Sequence, residues 1–385
     1  MRNFIFLLFT TTQLMGQTNS KVGGGCDGCE LMYKGMPRQI NAVDTSAGWY
    51  EGGTKLIITG RVLQRDGRTA AANVVVYYWH TDNNGRYLPA KGAHNATRHG
   101  HLRGWVKTGR DGRYEIYTIR PAAYPSHDEP QHIHLSIKES ELANEYYVDD
   151  LVFDDDPLLY RKTKRGFKAE NRGGSGVLRT GMKKNIQVAV HDIILGLNIP
   201  NYPSATGKEQ SSGLEIGEDS PSFGPTHAWG PDKGTEACPV CKYGRYHGIL
   251  YFIGNQPNWS DIKKWLLFFE QVNQVKGKYL KVYFVFGQEE GYSYSSRKQQ
   301  LERLGAELNI KQVALTFVPS LKDHKSEVDL NKINPDVEST VVVYRNRTVI
   351  DKYVNLAPTA PNFKVIENLL ETTKTELFES LSIDH

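Results

Sequence analysis

The chain has 385 residues, 23% of them charged, and a formal net charge of +4 at pH 7. That length suggests two domains joined by a linker, and the composition is that of an ordinary globular protein. So small and diffuse a charge excludes an electrostatic argument for a nucleic-acid partner.

Residues 1–17 carry Arg2, the apolar run Phe4-Ile5-Phe6-Leu7-Leu8-Phe9, and small or polar residues through Gly16-Gln17. The run is too short to span a bilayer, so it reads as a cleaved signal peptide. No later segment is apolar enough for a membrane span. The expected location is therefore exported, either periplasmic or extracellular. Gly23-Gly24-Gly25 before Cys26 lacks the pattern of a lipidation box.

From residue 55 to 137, period-two runs such as Lys55-Leu56-Ile57-Ile58-Thr59 alternate with turns at Asp66-Gly67, Asn84-Gly85 and Asp111-Gly112. This rhythm predicts an all-β sandwich over 18–203, with a loop at 171–176 and a closing strand at 186–194. Residues 204–236 are rich in Ser, Gly, Pro and acidic side chains and read as a linker. Beyond them, over 237–380, strands at 248–253, 280–286, 313–318, 340–344 and 349–353 alternate with helices at 260–275, 296–308 and 363–377. Ser260 or Asp261 is available as N-cap of the first helix. The expected architecture is multi-domain: an all-β sandwich followed by an α/β layer domain.

All four cysteines fall in two like pairs, Cys26-Asp27-Gly28-Cys29 and Cys238-Pro239-Val240-Cys241. In an exported chain such pairs suggest disulfides. Together they could build one tetrahedral zinc site. Far apart in the chain and outside the cores of different domains, they suit two local disulfides or dithiols better.

Four residues in three short segments ask for a chemical explanation: Tyr87 in Asn84-Gly85-Arg86-Tyr87, Tyr124 in Arg120-Pro121-Ala122-Ala123-Tyr124-Pro125, and His132 and His134 in Pro130-Gln131-His132-Ile133-His134. On a strand, His132 and His134 share one face while Ile133 and Leu135 take the other. Two imidazoles at i and i+2 can hold one metal, and two phenolates would add the hard, anionic donors that suit ferric iron. With 21 tyrosines in the chain, any one of them alone would more often be packing. His99 and His101, flanked by Arg98 and Arg103 in a glycine-broken stretch, read as a polar loop.

These segments resemble the iron site of the intradiol ring-cleavage dioxygenases, the protocatechuate and catechol dioxygenase family. The likeness covers about residues 45–203, including Thr59-Gly60-Arg61-Val62, Val74 to His80, Asp111-Gly112-Arg113-Tyr114 and Asp156-Pro157-Leu158-Leu159. It implies that Tyr87, Tyr124, His132 and His134 bind Fe(3+), and that the partners are a small aromatic diol and O2. The product would be a muconate-type diacid, with Tyr124 the displaceable ligand. Where the family has Arg three positions before the first histidine this chain has Glu129, and where it has Gln the chain has Asp150. Both acidic residues stand at catalytic positions, and a carboxylate-bearing diol should be disfavoured. Arg98, Arg103 and Arg120 are the expected partners for Glu129.

The second half more weakly resembles the thioredoxin-like fold. Cys238 and Cys241 precede the first strand rather than follow it, and no proline stands just before Thr340. Two other functions stay open: an exported metal- or ligand-binding sandwich without oxygenase activity, and a thiol-disulfide oxidoreductase acting through Cys238 and Cys241. Oligomeric state is not legible in the sequence.

Overall fold

The computed structural model describes residues 21–25, 28–91, 98–165, 169–203 and 211–374. The signal-peptide segment and Cys26 lie outside them. The first half contains β1 (Val43–Thr45), β2 (Lys55–Leu63), β3 (Val75–His80), β4 (Arg103–Lys107), β5 (Arg113–Ile119), β6 (His132–Lys138), β7 (Tyr146–Tyr147) and β8 (Leu151–Phe153). After these come a short helix α1 (Pro157–Lys164), then β9 (Val177–Leu178), β10 (Gly181–Lys183), β11 (Ile186–Val190) and β12 (Ile193–Ile194).

These strands form two sheets, ordered β1-β5-β2-β11-β10 and β4-β3-β6-β8-β9, with β12 on β2 and β7 on β6. Alternation explains why the sheets stack. Leu56, Ile58 and Val62 from β2 meet Val76 and Tyr78 from β3 and Ile133, Leu135 and Ile137 from β6 in one core. The opposite face of β3 and β6 is thereby left to Tyr77, Trp79, His132 and His134. Over part of that face lies the segment from Cys29 to Tyr33, a 3-10 helix. Met32 packs there with Val75, Tyr77 and Trp79, and Trp105 Nε1 donates to the Met32 carbonyl at 2.7 Å.

The second half contains β13 (Thr226–Trp229), α2 (Pro239–Tyr243), β14 (His247–Ile253), α3 (Trp259–Lys276), β15 (Leu280–Phe286), α4 (Tyr294–Glu307), β16 (Ala314–Phe317), β17 (Thr340–Arg345), β18 (Thr348–Val354) and α5 (Ala360–Thr372). Its sheet is ordered β13-β16-β15-β14-β17-β18. Strands β14, β15 and β16 run parallel, and β13, β17 and β18 are antiparallel to their neighbours. The expected α/β layering is present. Helix α3 buries Ile262, Trp265, Leu266 and Phe269 in the core on one side of the sheet, each such side chain worth about 1.5–3 kcal/mol. Its N-cap is Asn258, whose Oδ1 accepts from the Asp261 amide at 3.3 Å, not Ser260 or Asp261.

The expected linker is corrected in its described part. Residues 226–229 are the edge strand β13, paired with β16, and Leu214, Phe223 and Ala228 are buried in the α/β half. The same stretch ties the two halves together. The Gly217 amide donates to Val349 O at 2.8 Å and the Ser175 amide to Gly217 O at 2.7 Å. Arg179 Nη2 meets Asp219 Oδ1 at 2.7 Å, and Arg68 pairs with Asp351.

Cys238 and Cys241 are joined in a disulfide, and Cys29 is also disulfide-bonded. Cys29 is not outside the core as expected: it is 1% exposed, with Sγ 3.8 Å from Ser136 Oγ. A zinc site shared by the two cysteine pairs is therefore not formed among the described residues. No helix among those residues is long and apolar enough to cross a membrane.

Candidate metal centre

The strand pairing places the two histidines. Leu151 and Val152 of β8 pair with Ile133 and His132 of β6, and on the other flank Trp79 of β3 lies opposite His134. Both imidazoles project from the face away from the core, as their spacing predicts. Their rings are 4.6 Å apart at an interplanar angle of 78°.

The tyrosines come from two loops that are tied to each other. Asp82 Oδ1 accepts from the amides of Asn84 and Arg86, which shapes the turn before Tyr87. Thr81 Oγ1 donates to Ala122 O at 2.7 Å, and the Ala122 amide to Asp82 O at 3.1 Å. Gly85, at φ 76°, fits where a Cβ would stand 2.1 Å from Ala123 O. A residue without a side chain is required at that crossing.

The four side chains converge. Tyr87 Oη is 3.1 Å from Tyr124 Oη, Tyr124 Oη is 3.1 Å from His132 Nε2, and Tyr87 Oη is 3.1 Å from His134 Nε2. The outer ring nitrogens are engaged elsewhere. His132 Nδ1 donates to Pro130 O at 2.7 Å, and His134 Nδ1 lies 2.8 Å from Asp150 Oδ1. Both Nε2 atoms are therefore lone pairs turned inward. Three close contacts link these four atoms, yet the two phenols bring only two hydrogens. A cation held by two phenolates and two imidazoles satisfies all four donors, so the set fits a metal.

The electrostatics agree with that reading. Burial, then the hydrogen bond and charge of Tyr124, hold the Tyr87 hydroxyl well above its usual pKa. Burial, with the fields of Asp150 and Glu129, also raises Tyr124. Neither phenol ionises readily without a cation beside it. Burial, then the neighbouring His134, lowers the pKa of His132, which favours the neutral ring that a metal requires. Desolvation opposes ionisation of Asp150, but the His134 hydrogen bond and nearby positive charge outweigh it and lower its pKa.

Of the arginines expected as partners of Glu129, Arg103 and Arg120 are engaged elsewhere. Glu129 pairs with Lys162 of α1. Arg120 is committed to Asp155 at 2.6 Å and 2.8 Å and to Gln131 at 2.6 Å, its guanidinium 4.3 Å above the Phe153 ring. Arg103 faces Tyr77 Oη and Leu31 O.

His99 also departs from expectation. It is 4% exposed, stacked on Trp79 at 4.1 Å, with Nδ1 2.9 Å from Tyr77 Oη. Trp79 in turn stacks on His134 at 4.9 Å. His101 contacts Glu51 at 2.7 Å. Sequence reasoning missed Trp79 and Lys162. Strand register would have found Trp79, opposite His134, but register is not written in a run such as Val75 to His80. Beside the site opens a cleft of about 790 Å³, bordered by Arg86, Leu88, Ala123, Pro125, Gln131 and Leu158.

Residues 31–170 match the family model described as dioxygenase. The chain is 34% identical over 118 residues to the protocatechuate 3,4-dioxygenase beta chain of Burkholderia cepacia, covering 28% of this chain and 48% of that protein. It is 28% identical over 156 residues to catechol 1,2-dioxygenase 1 of Acinetobacter lwoffii, covering 34% of this chain and 49% of that one. The chain thus spans about half the length of the curated relatives it matches. Among solved structures, hydroxyquinol 1,2-dioxygenase from Pseudomonas putida DLL-E4 shares 22% identity, covering 42% of this chain and 62% of that one, at a TM-score of 0.32. Tyr87, Tyr124, His132 and His134 all lie within the stretch that matches the dioxygenase family model, and this stretch is similar to the intradiol ring-cleaving dioxygenases.

Proposed function

We propose that this chain is an exported non-haem Fe(III) intradiol dioxygenase, taking a small catechol-type diol and O2 to a muconate-type diacid. The observation that carries the reading is the convergence of Tyr87 Oη, Tyr124 Oη, His132 Nε2 and His134 Nε2, with both outer imidazole nitrogens already engaged. When bound, ferric iron would supply Lewis acidity and a template for the diol. Tyr124, on the loop before β6, would be the displaceable donor, with its Oη placed to accept a proton from the diol hydroxyl. His132, His134 and Tyr87 keep the site assembled while it does. Glu129 and Asp150 make the surroundings acidic, which favours neutral or amine-bearing diols over carboxylated ones. Disulfides at Cys29 and at Cys238–Cys241 support export to an oxidising compartment.

Two observations favour other readings. The acidic residues Glu129 and Asp150 at positions where the family has Arg and Gln support a metal-binding sandwich without turnover. The Cys238–Cys241 bond, with Cys241 exposed, supports thiol exchange. The thioredoxin-like reading of the α/β half rests on the order β14, α3, β15, α4, β16, β17, β18 and α5. Against a redox role, the disulfide lies before β14, and the turn between β14 and α3 carries no cysteine.

The test is to load purified protein with ferric iron, record its visible spectrum, and follow O2 uptake with catechol. A broad visible band with catechol-dependent uptake supports the dioxygenase. A band without uptake on any diol supports the binding protein. A colourless, iron-free protein that reduces disulfides supports the third reading.

A further inference from the structure

We infer that Asp150 is a positioning residue, not one that contacts substrate: through His134 Nδ1 it fixes the ring with Nε2 inward and strengthens it as a ligand. This role rests on the metal site proposed above. The first support is the sheet itself. The register that pairs His132 with Val152 and Ile133 with Leu151, carried one residue further, sets Asp150 across from His134. Its carboxylate therefore reaches the imidazole from a neighbouring strand end, 2.8 Å from Nδ1. From the other flank Trp79 stacks on the same ring at 4.9 Å. His134 is thus clamped between two strands, by an anion at its edge and an indole on its face.

The second support is an asymmetry between the two histidines. His132 donates Nδ1–H to the neutral Pro130 carbonyl, whereas the acceptor on His134 is a carboxylate. An anionic acceptor raises the basicity of the opposite nitrogen more than a neutral one does. Direct ligation by Asp150 is the competing arrangement, because its carboxylate and the two histidines offer ligand atoms within 4.8 Å of one another. It conflicts with the tyrosines. Asp150 approaches His134 at Nδ1 and Tyr87 approaches it at Nε2, so one ion cannot take both sets.

The experiment compares wild type, Asp150→Asn and Asp150→Ala in the full chain. Nitrogen-15 histidine spectra of iron-free protein report the His134 tautomer. Ferric loss to a chelator and the wavelength of the visible band are read on loaded protein. Wild type should show His134 protonated at Nδ1. Asp150→Ala should lose that fixed tautomer, release iron roughly 10- to 100-fold faster and move the band to longer wavelength. Asp150→Asn keeps an acceptor of the same shape, so it should keep the tautomer and most of the affinity yet still shift the band. Unchanged tautomer, release rate and band in both variants would overturn the role, as would variants altered only in KM for the diol. Loss of iron from Asp150→Asn as complete as from His134→Ala would overturn it in favour of direct ligation. A wild type that binds no ferric iron overturns the site reading and this role together; loaded wild type with indifferent variants overturns this role alone.

Discussion

Gly85 passes so close to Ala123 that a Cβ at Gly85 would stand 2.1 Å from the Ala123 carbonyl oxygen. The two loops that carry Tyr87 and Tyr124 therefore cross at a point where only a glycine fits. Gly85→Ala adds a clash with backbone to a φ of 76°. The expected cost is about 1–3 kcal/mol, read by denaturant unfolding of iron-free protein. The visible band should weaken as well, since the tyrosines separate. A variant as stable and as coloured as wild type would refute the crossing.

Replacing His132 or His134 by Ala should abolish the ferric band, because each supplies an inward Nε2 lone pair. His101→Ala is the control: its ring contacts Glu51 and the Leu88 carbonyl, and the band should survive. Retention of full colour in His132→Ala would remove that residue from the ligand set.

The two halves should not behave as independent units. Arg179 has a side chain only 8% exposed and pairs with Asp219. Asp219→Ala leaves that guanidinium without its carboxylate in a buried place, at a cost of about 3–5 kcal/mol. Calorimetry should show both halves affected. An unchanged sandwich transition would mean that the halves are uncoupled.

How far the sequence could be read depended on the range of the signal. Alternation put His132 and His134 on one face and Ile133 and Leu135 in the core, because period two is local. The strand β13 was invisible: Thr226–Trp229 is four residues long, too few to show a period within a stretch of Ser, Gly and Pro. The Lys162 partner of Glu129 comes from α1, a different element, and long-range ion pairs leave no mark in spacing. The inward tilt of His134 between Trp79 and Asp150 needed register on both sides. Asn258 at the start of α3 lost out to Ser260 and Asp261 in the sequence reading because three capping residues stand within four positions, and only the backbone shows which is outside the helix.

Acid should weaken the fold through a buried histidine that is not one of the four converging side chains. His191 is buried, and burial lowers its pKa from 6.5 to about 4. The folded chain holds the neutral ring, while the unfolded chain takes up a proton near pH 6.5. Stability from this group is therefore complete above about pH 6.5 and falls as pH drops toward 4, by about 1.4 kcal/mol per unit. Denaturant unfolding at several pH values should give His191→Gln a shallower acid limb than wild type. Parallel limbs would show that His191 does not titrate on unfolding in that range.

Glu129 offers the sharpest question about substrate charge. It pairs with Lys162 across a partly open surface, the two side chains 45% and 29% exposed. An ion pair so exposed contributes little, so Glu129→Gln should change stability by less than about 1 kcal/mol. The substitution leaves every donor to the metal in place, and the ferric band should be retained. What it changes is the field at Tyr124, which Glu129 and Asp150 both make more negative. In wild type Lys162 offsets part of the Glu129 charge; once the carboxylate is gone, one negative charge fewer bears on the site. Relative rates should then move toward 4-carboxylated catechols and away from amine-bearing ones, by about ten-fold for a partly screened unit charge. Lys162→Met supplies the opposite sign, leaving Glu129 uncompensated and favouring amines. Opposite shifts in the two variants would establish the pair as the gate for substrate charge. Shifts in the same direction, or none in either, would mean that the pair faces solvent and leaves selection to Asp150.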